Sequence, residues 1–364
     1  MKLEKKNSFG FLRLIFSCGV AVSHLPILLG QSVPKFWGEI FGRNSVECFF
    51  IISGYLLGNS LTTHSSPGRF LAKRFLRIFP SLFSCLIITS FVVSLFFRDS
   101  SVISSVKSIW TYVSLNSLIW SRTLTIDSAF IGNSKPQIIN GSLWSLGFEI
   151  QCYLVLILLF VACKSVRLAS IAGLFFSYAG LIVFSSNFHL QLSSLMAFFF
   201  WGGLLSTLNG VKRTQLLIVL ACILFSFYIA ISCTFPNFRI WIGSGLLSFA
   251  IVVLGNSNRV SIPERRDISF GIFLYHFPLQ QMIAYLFLDG YSFLFCTALS
   301  LSLLAFCGFC NRFIIENRIV ELVRSDKFSS YVQLIDDKLF KSYFVSLITT
   351  ICIMTIFYLL NPYT

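Results

Sequence analysis

Long apolar stretches limit the possible folds of this chain of 364 residues more than any other feature. A helix needs about 20 mainly apolar residues to cross the hydrocarbon core of a bilayer. Only 12% of the residues are charged, about half the fraction usual in soluble proteins. The stretches that reach or approach spanning length lie at approximately 11–30, 45–63, 80–97, 142–163, 168–186, 190–208, 215–233, 240–255, 268–288, 292–312 and 342–361.

This pattern predicts an all-α fold, a polytopic transmembrane helical bundle with a ten-span core plus one extra C-terminal span. Because open sheets leave backbone groups unsatisfied in hydrocarbon, a helix is the expected form of each stretch. Residues 1–315 are predicted to form the ten-span membrane domain. Residues 316–364 are predicted to add an amphipathic segment on the cytoplasmic surface, beginning near Asn311, and the additional span.

The distribution of Lys and Arg between the stretches predicts the orientation of the chain. With a cytoplasmic amino terminus, 21 of the 28 cationic residues lie on the cytoplasmic side and 7 on the other. Such a bias is what the positive-inside rule describes. The net charge of +14 then reflects topology and attraction to anionic membrane lipid, so no nucleic-acid partner is needed. The cysteines show no framework of spacing, and no metal site is predicted.

His24 lies in the first apolar stretch, eleven residues after Arg13. Eleven helical steps place the two side chains roughly 16 Å apart on nearly the same face. Ionisable groups inside a membrane are costly and usually mark functional sites. A satisfied polar contact within the bundle is the more common explanation for a lone histidine in a helix, and the burial cost and the alignment with Arg13 leave that interpretation and a catalytic one equally open.

Glu149 lies at a matching depth in the fourth stretch, about seven residues or roughly 10 Å from its outer end. His24 lies about six residues from the outer end of its own stretch. The similar depths predict that the carboxylate and the imidazole meet, with Glu149 orienting His24 as a general base. A structural hydrogen bond within the membrane is the alternative.

A cluster of four cations precedes the third stretch, and Pro80 is predicted to open the span that follows. The cluster is either a positive-inside anchor or a cytoplasmic site for a phosphorylated donor, since guanidinium groups bind phosphate oxygens in bidentate fashion. Three of the four share one helical face. The cluster consists of Arg69, Lys73, Arg74 and Arg77.

Further polar residues within the stretches are predicted to support the site. Ser53 precedes Gly54, a pair that permits close helix packing, and a nucleophilic serine is the alternative. A second histidine in the ninth stretch stands just before a proline. The supporting residues are Ser53, Tyr55, Trp144, Ser145, Tyr275 and His276.

These segments resemble the bacterial membrane-bound acyltransferase family 3, whose members O-acylate extracytoplasmic carbohydrates. The similar motifs, in order, are Arg13 with His24, Phe49 to Tyr55, the basic run ending at Arg77 and Pro80, Trp144 to Glu149, and Leu274 to His276. The segment 140–143 is also similar to stand-alone sugar acetyltransferases, including O-antigen acetylases. The chain departs from the pattern at Ser45, usually Gly, at Glu47, usually Asp, and after Glu316, where a proline is common.

The resemblance implies an integral O-acetyltransferase of the bacterial inner membrane. Its co-substrate would be acetyl-CoA on the cytoplasmic side, with no permanently bound cofactor. Its acceptor would be a hydroxyl of an extracytoplasmic or polyprenyl-linked glycan such as O-antigen. His24, with Arg13 and Glu149, would act as base on the sugar hydroxyl or would carry the acetyl group itself. The residues that would meet the donor's phosphates are Arg69, Lys73, Arg74 and Arg77.

Two other classes of membrane protein fit the pattern of spans. A transporter or flippase of lipid-linked saccharides would have about a dozen spans and intramembrane charges, but no internal repeat is evident in this sequence. A polymerase of lipid-linked saccharides would have similar spans and usually a larger outer loop. Release of acetyl from labelled acetyl-CoA by the purified protein separates the acyltransferase from both.

Overall fold

The structure, a computed structural model, describes residues 7–32, 34–63, 67–97, 102–117, 125–126, 128–208, 215–232, 239–287 and 291–324. Most of these residues are helical, and an isolated β-bridge joins Thr125 to Ile138. The predicted extra span at 342–361, with most of the segment 316–364, lies outside the described residues.

The helices are numbered here in chain order. They are α1 (Phe9–Leu28), α2 (Lys35–Trp37), α3 (Asn44–Thr63), α4 (Pro67–Phe96), α5 (Val102–Ser117), α6 (Leu143–Cys163), α7 (Val166–Val183), α8 (Asn187–Ser206), α9 (Gln215–Ser232), α10 (Ser244–Gly255), α11 (Ser269–Phe287), α12 (Phe293–Cys310) and α13 (Asn317–Arg324). Three π-helical segments adjoin them. Gly38–Arg43 leads into α3, Arg239–Gly243 leads into α10, and Asn311–Glu316 joins α12 to α13.

A helix occupies each of the ten stretches predicted for the core. Among the described residues, six helical segments are long and apolar enough to cross a membrane, and two apolar helices, Gln215–Ala230 and Arg239–Gly255, are shorter. The helical class with several membrane spans is therefore supported, and the count of ten spans plus one stays a prediction. The six segments are Phe9–Leu28, Phe70–Phe96, Leu143–Cys163, Val166–Val183, Asn187–Ser206 and Phe293–Val323.

The prediction that Pro80 opens the third span is wrong. Helix α4 begins at Pro67 and continues for 30 residues with Pro80 inside it. A proline is well tolerated as the first residue of a helix, so Pro67 takes the starting position. Pro80 in the interior removes one backbone hydrogen bond without ending the helix. The cationic cluster and the apolar span are consequently parts of one helix.

Close packing between α3 and α8 confirms the interpretation of the Ser53–Gly54 pair. A Cβ atom added to Gly54 would lie 1.9 Å from the carbonyl oxygen of Phe199. One added to Gly202 would lie 2.2 Å from the carbonyl oxygen of Ile51. The two backbones therefore approach as closely as small residues allow in membrane bundles. This contact fixes the position of Ser53.

The start of the predicted surface segment packs against the helical bundle. Asn311, Arg312 and Glu316 are buried, although the sequence predicts a segment on the membrane surface from Asn311 onward. Asn311 Nδ2 donates to Ser81 Oγ at 3.2 Å and to Glu316 Oε1 at 2.6 Å, and Arg312 forms an ion pair with Glu316. With these contacts the helical segment continues against α4 before α13 begins.

Candidate active site

His24 on α1 lines a cavity of about 700 Å³, called the His24 cavity below. Residues of α1, α3, α6, α8 and α11 and of two π-helical segments form its walls. His24 Nδ1 lies 2.9 Å from the carbonyl oxygen of Val20, one turn earlier. Because a carbonyl only accepts, Nδ1 carries the proton in this bond and Nε2 keeps its lone pair. The imidazole is held in a tautomer that suits a general base.

A second imidazole lies beside the first. The ring centroids of His24 and His276 are 5.2 Å apart. His276 is fully buried on α11, and its Nδ1 lies 2.8 Å from the carbonyl oxygen of Phe273. Its Nε2 is buried with no hydrogen-bond partner among the described residues. The structure thus brings the predicted supporting residue His276 next to His24.

Glu149 does not pair directly with His24 as the sequence predicts. Its Oε1 accepts hydrogen bonds from Ser53 Oγ at 2.6 Å and from the Tyr153 hydroxyl, while Val20 holds His24. Counting residues along two helices gives the depth of each side chain but not the face on which it lies. Glu149 lines a separate, narrow cavity of about 80 Å³, called the Glu149 cavity below.

Arg13 is joined to a carboxylate that the sequence analysis missed. Arg13 Nη2 lies 2.5 Å from Asp267 Oδ2, and both side chains are largely buried. Asp267 Oδ1 also accepts from the backbone N–H of Ser269 at 3.1 Å, at the start of α11. Burial alone raises the pKa of Asp267, but the Arg13 guanidinium and the Ser269 hydrogen bonds outweigh it, so this pKa lies below its ordinary value. The pair connects the helix of His24 with the helix of His276.

Three of the four predicted donor-site cations meet at a third cavity, of about 380 Å³, called the basic cavity below. Arg69 lies on α4, but its side chain is outside the described residues. The cationic residues that line the basic cavity are Lys73, Arg74, Arg77 and Arg312, and the acidic ones are Glu264 and Glu316. Cations therefore outnumber acids by four to two.

Four charged side chains form a wall of the His24 cavity, called the charged wall below: Glu39, Arg43, Glu47 and Arg239. Arg239 Nη1 lies 2.7 Å from Glu47 Oε1 and 3.9 Å from Glu39 Oε2. Arg43 Nη1 lies 2.8 Å from Glu39 Oε1. The Tyr228 hydroxyl donates to Glu47 Oε2 at 2.5 Å.

The three cavities share walls in series. Val46, Ser145 and Phe273 line both the His24 cavity and the Glu149 cavity. Arg74 and Arg77 line both the Glu149 cavity and the basic cavity. A series of adjoining spaces therefore leads from the cations of α4 past Glu149 to the imidazole of His24.

The remaining predicted supporting residues fall into two groups. Trp144 and Ser145 line the His24 cavity, as predicted for site residues. The Tyr55 hydroxyl instead accepts from Asn256 Nδ2 at 2.9 Å, and Tyr275 is buried in the main apolar core. Neither tyrosine lines any of the three cavities. Both contribute to helix packing.

The sequence contained signals for two of the missed residues. An Asp close to the start of a helix often accepts from a free backbone N–H there, and Asp267 stands two residues before Ser269, the first residue of α11. Glu47 lies within an apolar stretch, where an acid requires a partner. Arg239, next to the stretch 240–255, was a candidate for that partner. No local pattern identifies the pairing itself, because 192 residues separate Glu47 from Arg239.

Comparison with known proteins agrees with the motifs. Residues 6–312 match a family model described as an acyltransferase domain, acyltransferase family 3. The chain is 29% identical over 297 residues to an O-acetyl transferase of Shigella phage Sf6, covering 77% of this chain and 86% of that protein. It is 28% identical over 313 residues to nodulation protein 10 of Rhizobium leguminosarum bv. viciae, covering 76% and 84%. No solved structure matches the chain. Since the family model covers most of its length, this protein belongs to acyltransferase family 3 and is an acyltransferase.

Proposed function

We propose that this protein is an O-acetyltransferase of the bacterial inner membrane that moves an acetyl group from acetyl-CoA to a glycan hydroxyl. The observation that carries the proposal is the series of cavities between the cations of α4 and His24. A relative from Shigella phage Sf6 is named an O-acetyl transferase, which supports acetyl as the group transferred. The bias of Lys and Arg supports a cytoplasmic amino terminus and a basic cavity on the same side.

The basic cavity has the charge that a phosphorylated donor requires. Its excess of cations favours an anion, and the guanidinium groups of Arg74 and Arg77 suit bidentate contact with phosphate oxygens. The Glu149 cavity beyond it is too narrow for a nucleotide at about 80 Å³. A slender arm that ends in a thioester passes through a smaller space than a nucleotide does. The nucleotide part of acetyl-CoA therefore stays at the basic cavity while the acetyl group extends towards His24.

His24 performs the proton transfer in this proposal. Its Nε2 removes the proton from the acceptor hydroxyl, and the oxygen attacks the carbonyl carbon of the thioester. A C–O bond forms, the C–S bond breaks, and the imidazolium returns its proton to the departing thiolate. The products are an acetyl ester and the free thiol of CoA. Proton transfer of this kind contributes about 10²–10⁴-fold to a rate.

The acceptor is proposed to be a polyprenyl-linked or surface polysaccharide such as O-antigen, reached from the opposite side of the membrane. The His24 cavity supports this, because it lies at the other end of the series from the donor's charges. A transporter or polymerase function is favoured by no observation, since the chain belongs to an acyltransferase family.

The proposal is tested with the purified full-length protein in liposomes that contain lipid-linked glycan. Labelled acetyl-CoA is supplied on one side, and label on the glycan is measured. We expect transfer by the wild type and none by His24→Ala. His189→Ala is the matched control, because His189 lies on α8 next to the same cavity but does not line it. Undiminished transfer by His24→Ala would remove His24 from the mechanism, and no transfer by the wild type would contradict the function.

A further inference from the structure

Two polar atoms of the charged wall have no use in the proton transfer at His24. Arg239 is 7% exposed, and its Nε is buried with no hydrogen-bond partner among the described residues. Glu39 Oε2 is buried and likewise lacks a hydrogen-bond partner there. Buried polar atoms in proteins are nearly always hydrogen-bonded. Because both residues line the His24 cavity, rotation of the two side chains would present these atoms to a ligand there that both donates and accepts hydrogen bonds.

The charges of this wall already balance. Glu47 is paired with Arg239, and Glu39 is paired with Arg43 and lies near Arg239, which gives two acids and two cations. A ligand that carries its own charge would leave one charge unpaired in a partly desolvated cavity, which is costly. An uncharged ligand with hydroxyl groups avoids that cost. A hydroxyl donates one hydrogen bond and accepts others, which matches the two unsatisfied atoms.

We propose that the charged wall binds the acceptor as an uncharged sugar ring, whose hydroxyls donate to Glu39 Oε2 and accept from Arg239 Nε. This inference rests on the proposed function and narrows its acceptor. The side chain of Trp144 lines the same cavity and offers an apolar ring face, and His24 lines it as well. The volume of about 700 Å³ lies within the range of sites that enclose small ligands, about 300–1,000 Å³.

Uronic acids are selected against by the same wall. Their carboxylate would meet Glu39 and Glu47 without a spare cation, since both guanidinium groups are already in ion pairs. Removing one acid changes this balance. Glu39→Gln leaves the wall with one excess positive charge while keeping a side chain of nearly the same shape. The variant therefore gains affinity for an anionic sugar and loses the acceptor strength that an uncharged ring uses.

Binding to the full-length protein in nanodiscs provides the test. The probes are the methyl pyranosides of glucose, galactose and mannose and the methyl glycosides of the corresponding uronic acids, measured by saturation-transfer NMR. In the wild type we expect uncharged sugars to bind at least about tenfold more tightly than uronates. Glu39→Gln should weaken the uncharged sugars by about tenfold and strengthen the uronates. Arg239→Lys, which keeps the charge but lacks the Nε donor, should weaken the uncharged sugars only.

Matched controls are Glu321→Gln and Arg259→Lys, whose side chains are exposed and line none of the three cavities. If Arg239→Lys does not fold, Glu39→Gln alone decides the test. The inference is overturned if no uncharged probe binds the wild type, if uronates bind it as tightly as uncharged sugars, or if Glu39→Gln leaves the preference unchanged. Transfer of label from acetyl-CoA to envelope glycan, measured separately, reports on the proposed function, so the failure of one is distinguished from the failure of the other.

Discussion

The basic cavity and the His24 cavity differ in how their charges are arranged. In the basic cavity four cations face two acids, so positive charge remains for a ligand. In the His24 cavity two acids and two guanidinium groups are joined in ion pairs, so no net charge remains on that wall. The contrast indicates a division of roles within one series of spaces. In the proposed function, one end would bind an anionic donor by charge, and the other would bind a hydroxylated acceptor by hydrogen bonds.

The Glu149 cavity between the two ends has its own arrangement. Three guanidinium groups, of Arg13, Arg74 and Arg77, line it together with the single carboxylate of Glu149. Asp267 neutralises Arg13, and Ser53 and Tyr153 hold Glu149 in place. The Glu149 carboxylate therefore lies at the edge of the positive electrostatic potential that the α4 cations produce. This position suits a group that keeps phosphates at the basic cavity while the uncharged arm passes.

The largest effect on acetyl transfer is expected from a change in the His24 cavity, the proposed acceptor end. His24→Ala should lower acetyl transfer by about 10³-fold or more, because the lost Nε2 is the only proposed base. Binding of acetyl-CoA should stay near wild type, since the donor's phosphates lie at the other end. Single-turnover transfer and equilibrium binding of labelled acetyl-CoA check the two parts. A variant that loses donor binding as well would show that the two ends are not separate.

Glu149→Gln tests the Glu149 cavity, which lies between the basic cavity and the His24 cavity, and should lower kcat by about 10²-fold. The amide keeps the shape and accepts from Ser53, but it no longer opposes the charge of Arg74 and Arg77. The protein level should stay near wild type. The control is Gln151→Asn on the same helix, which shortens a polar side chain without changing the charge. Full activity in Glu149→Gln would leave Glu149 with a structural role only.

Arg74→Ala and Arg77→Ala address the donor end, with a smaller effect. Each should raise the KM for acetyl-CoA by about tenfold with kcat for transfer little changed, because phosphate contacts act equally in the ground state and the transition state. The KM for the glycan should not change. Arg167→Ala, an exposed cation on α7, is the control. If cysteine labelling placed α4's cationic turns outside the cell, the donor assignment would be contradicted together with the topology.

The sequence predicted those features of the two cavities whose residues lie on a single helix. The spacing of Arg69, Lys73 and Arg77 predicted a basic face that serves either as an anchor or as a donor site, and Arg13 and His24 were recognised as a pair on α1. The direct pairing of His24 with Glu149 was wrong, because residue counts do not determine the face on which a side chain lies. The carbonyl of Val20 holds the imidazole instead.

Contacts between distant helices could not be predicted from local pattern. Glu47 and Arg239 are 192 residues apart, and Arg13 and Asp267 are 254 apart. Each partner by itself has an ordinary local explanation, as a departure from a motif or as a helix cap. Their pairing follows from how the helices pack, which depends on many apolar contacts at once. The charged wall, on which the acceptor inference rests, belongs to this class.

The smallest effect on transfer is expected from Asp267→Asn, which lies outside all three cavities and acts on stability. The amide keeps the hydrogen bond from Ser269 but leaves Arg13 without its ion pair. The free energy of unfolding at neutral pH should therefore fall by about 3 kcal/mol, and the variant should unfold at a lower temperature. Because the pKa of Asp267 is lowered on folding, its contribution is complete above its unfolded value of about 3.9 and is lost as the pH falls through the lower folded value.

Thermal unfolding of the detergent-solubilised wild type and of Asp267→Asn at a series of pH values checks this prediction. The difference in Tm should be constant from about pH 7 to pH 5 and should shrink below about pH 4, because the carboxylate of the unfolded chain binds a proton there while the folded protein keeps its carboxylate ionised to a lower pH. Glu321→Gln, at an exposed position, should match the wild type throughout. A difference as large at pH 3 as at pH 7 would show that the ion pair is not what Asp267 contributes. In that case the Arg13–Asp267 ion pair would not be the contact that joins α1 to α11.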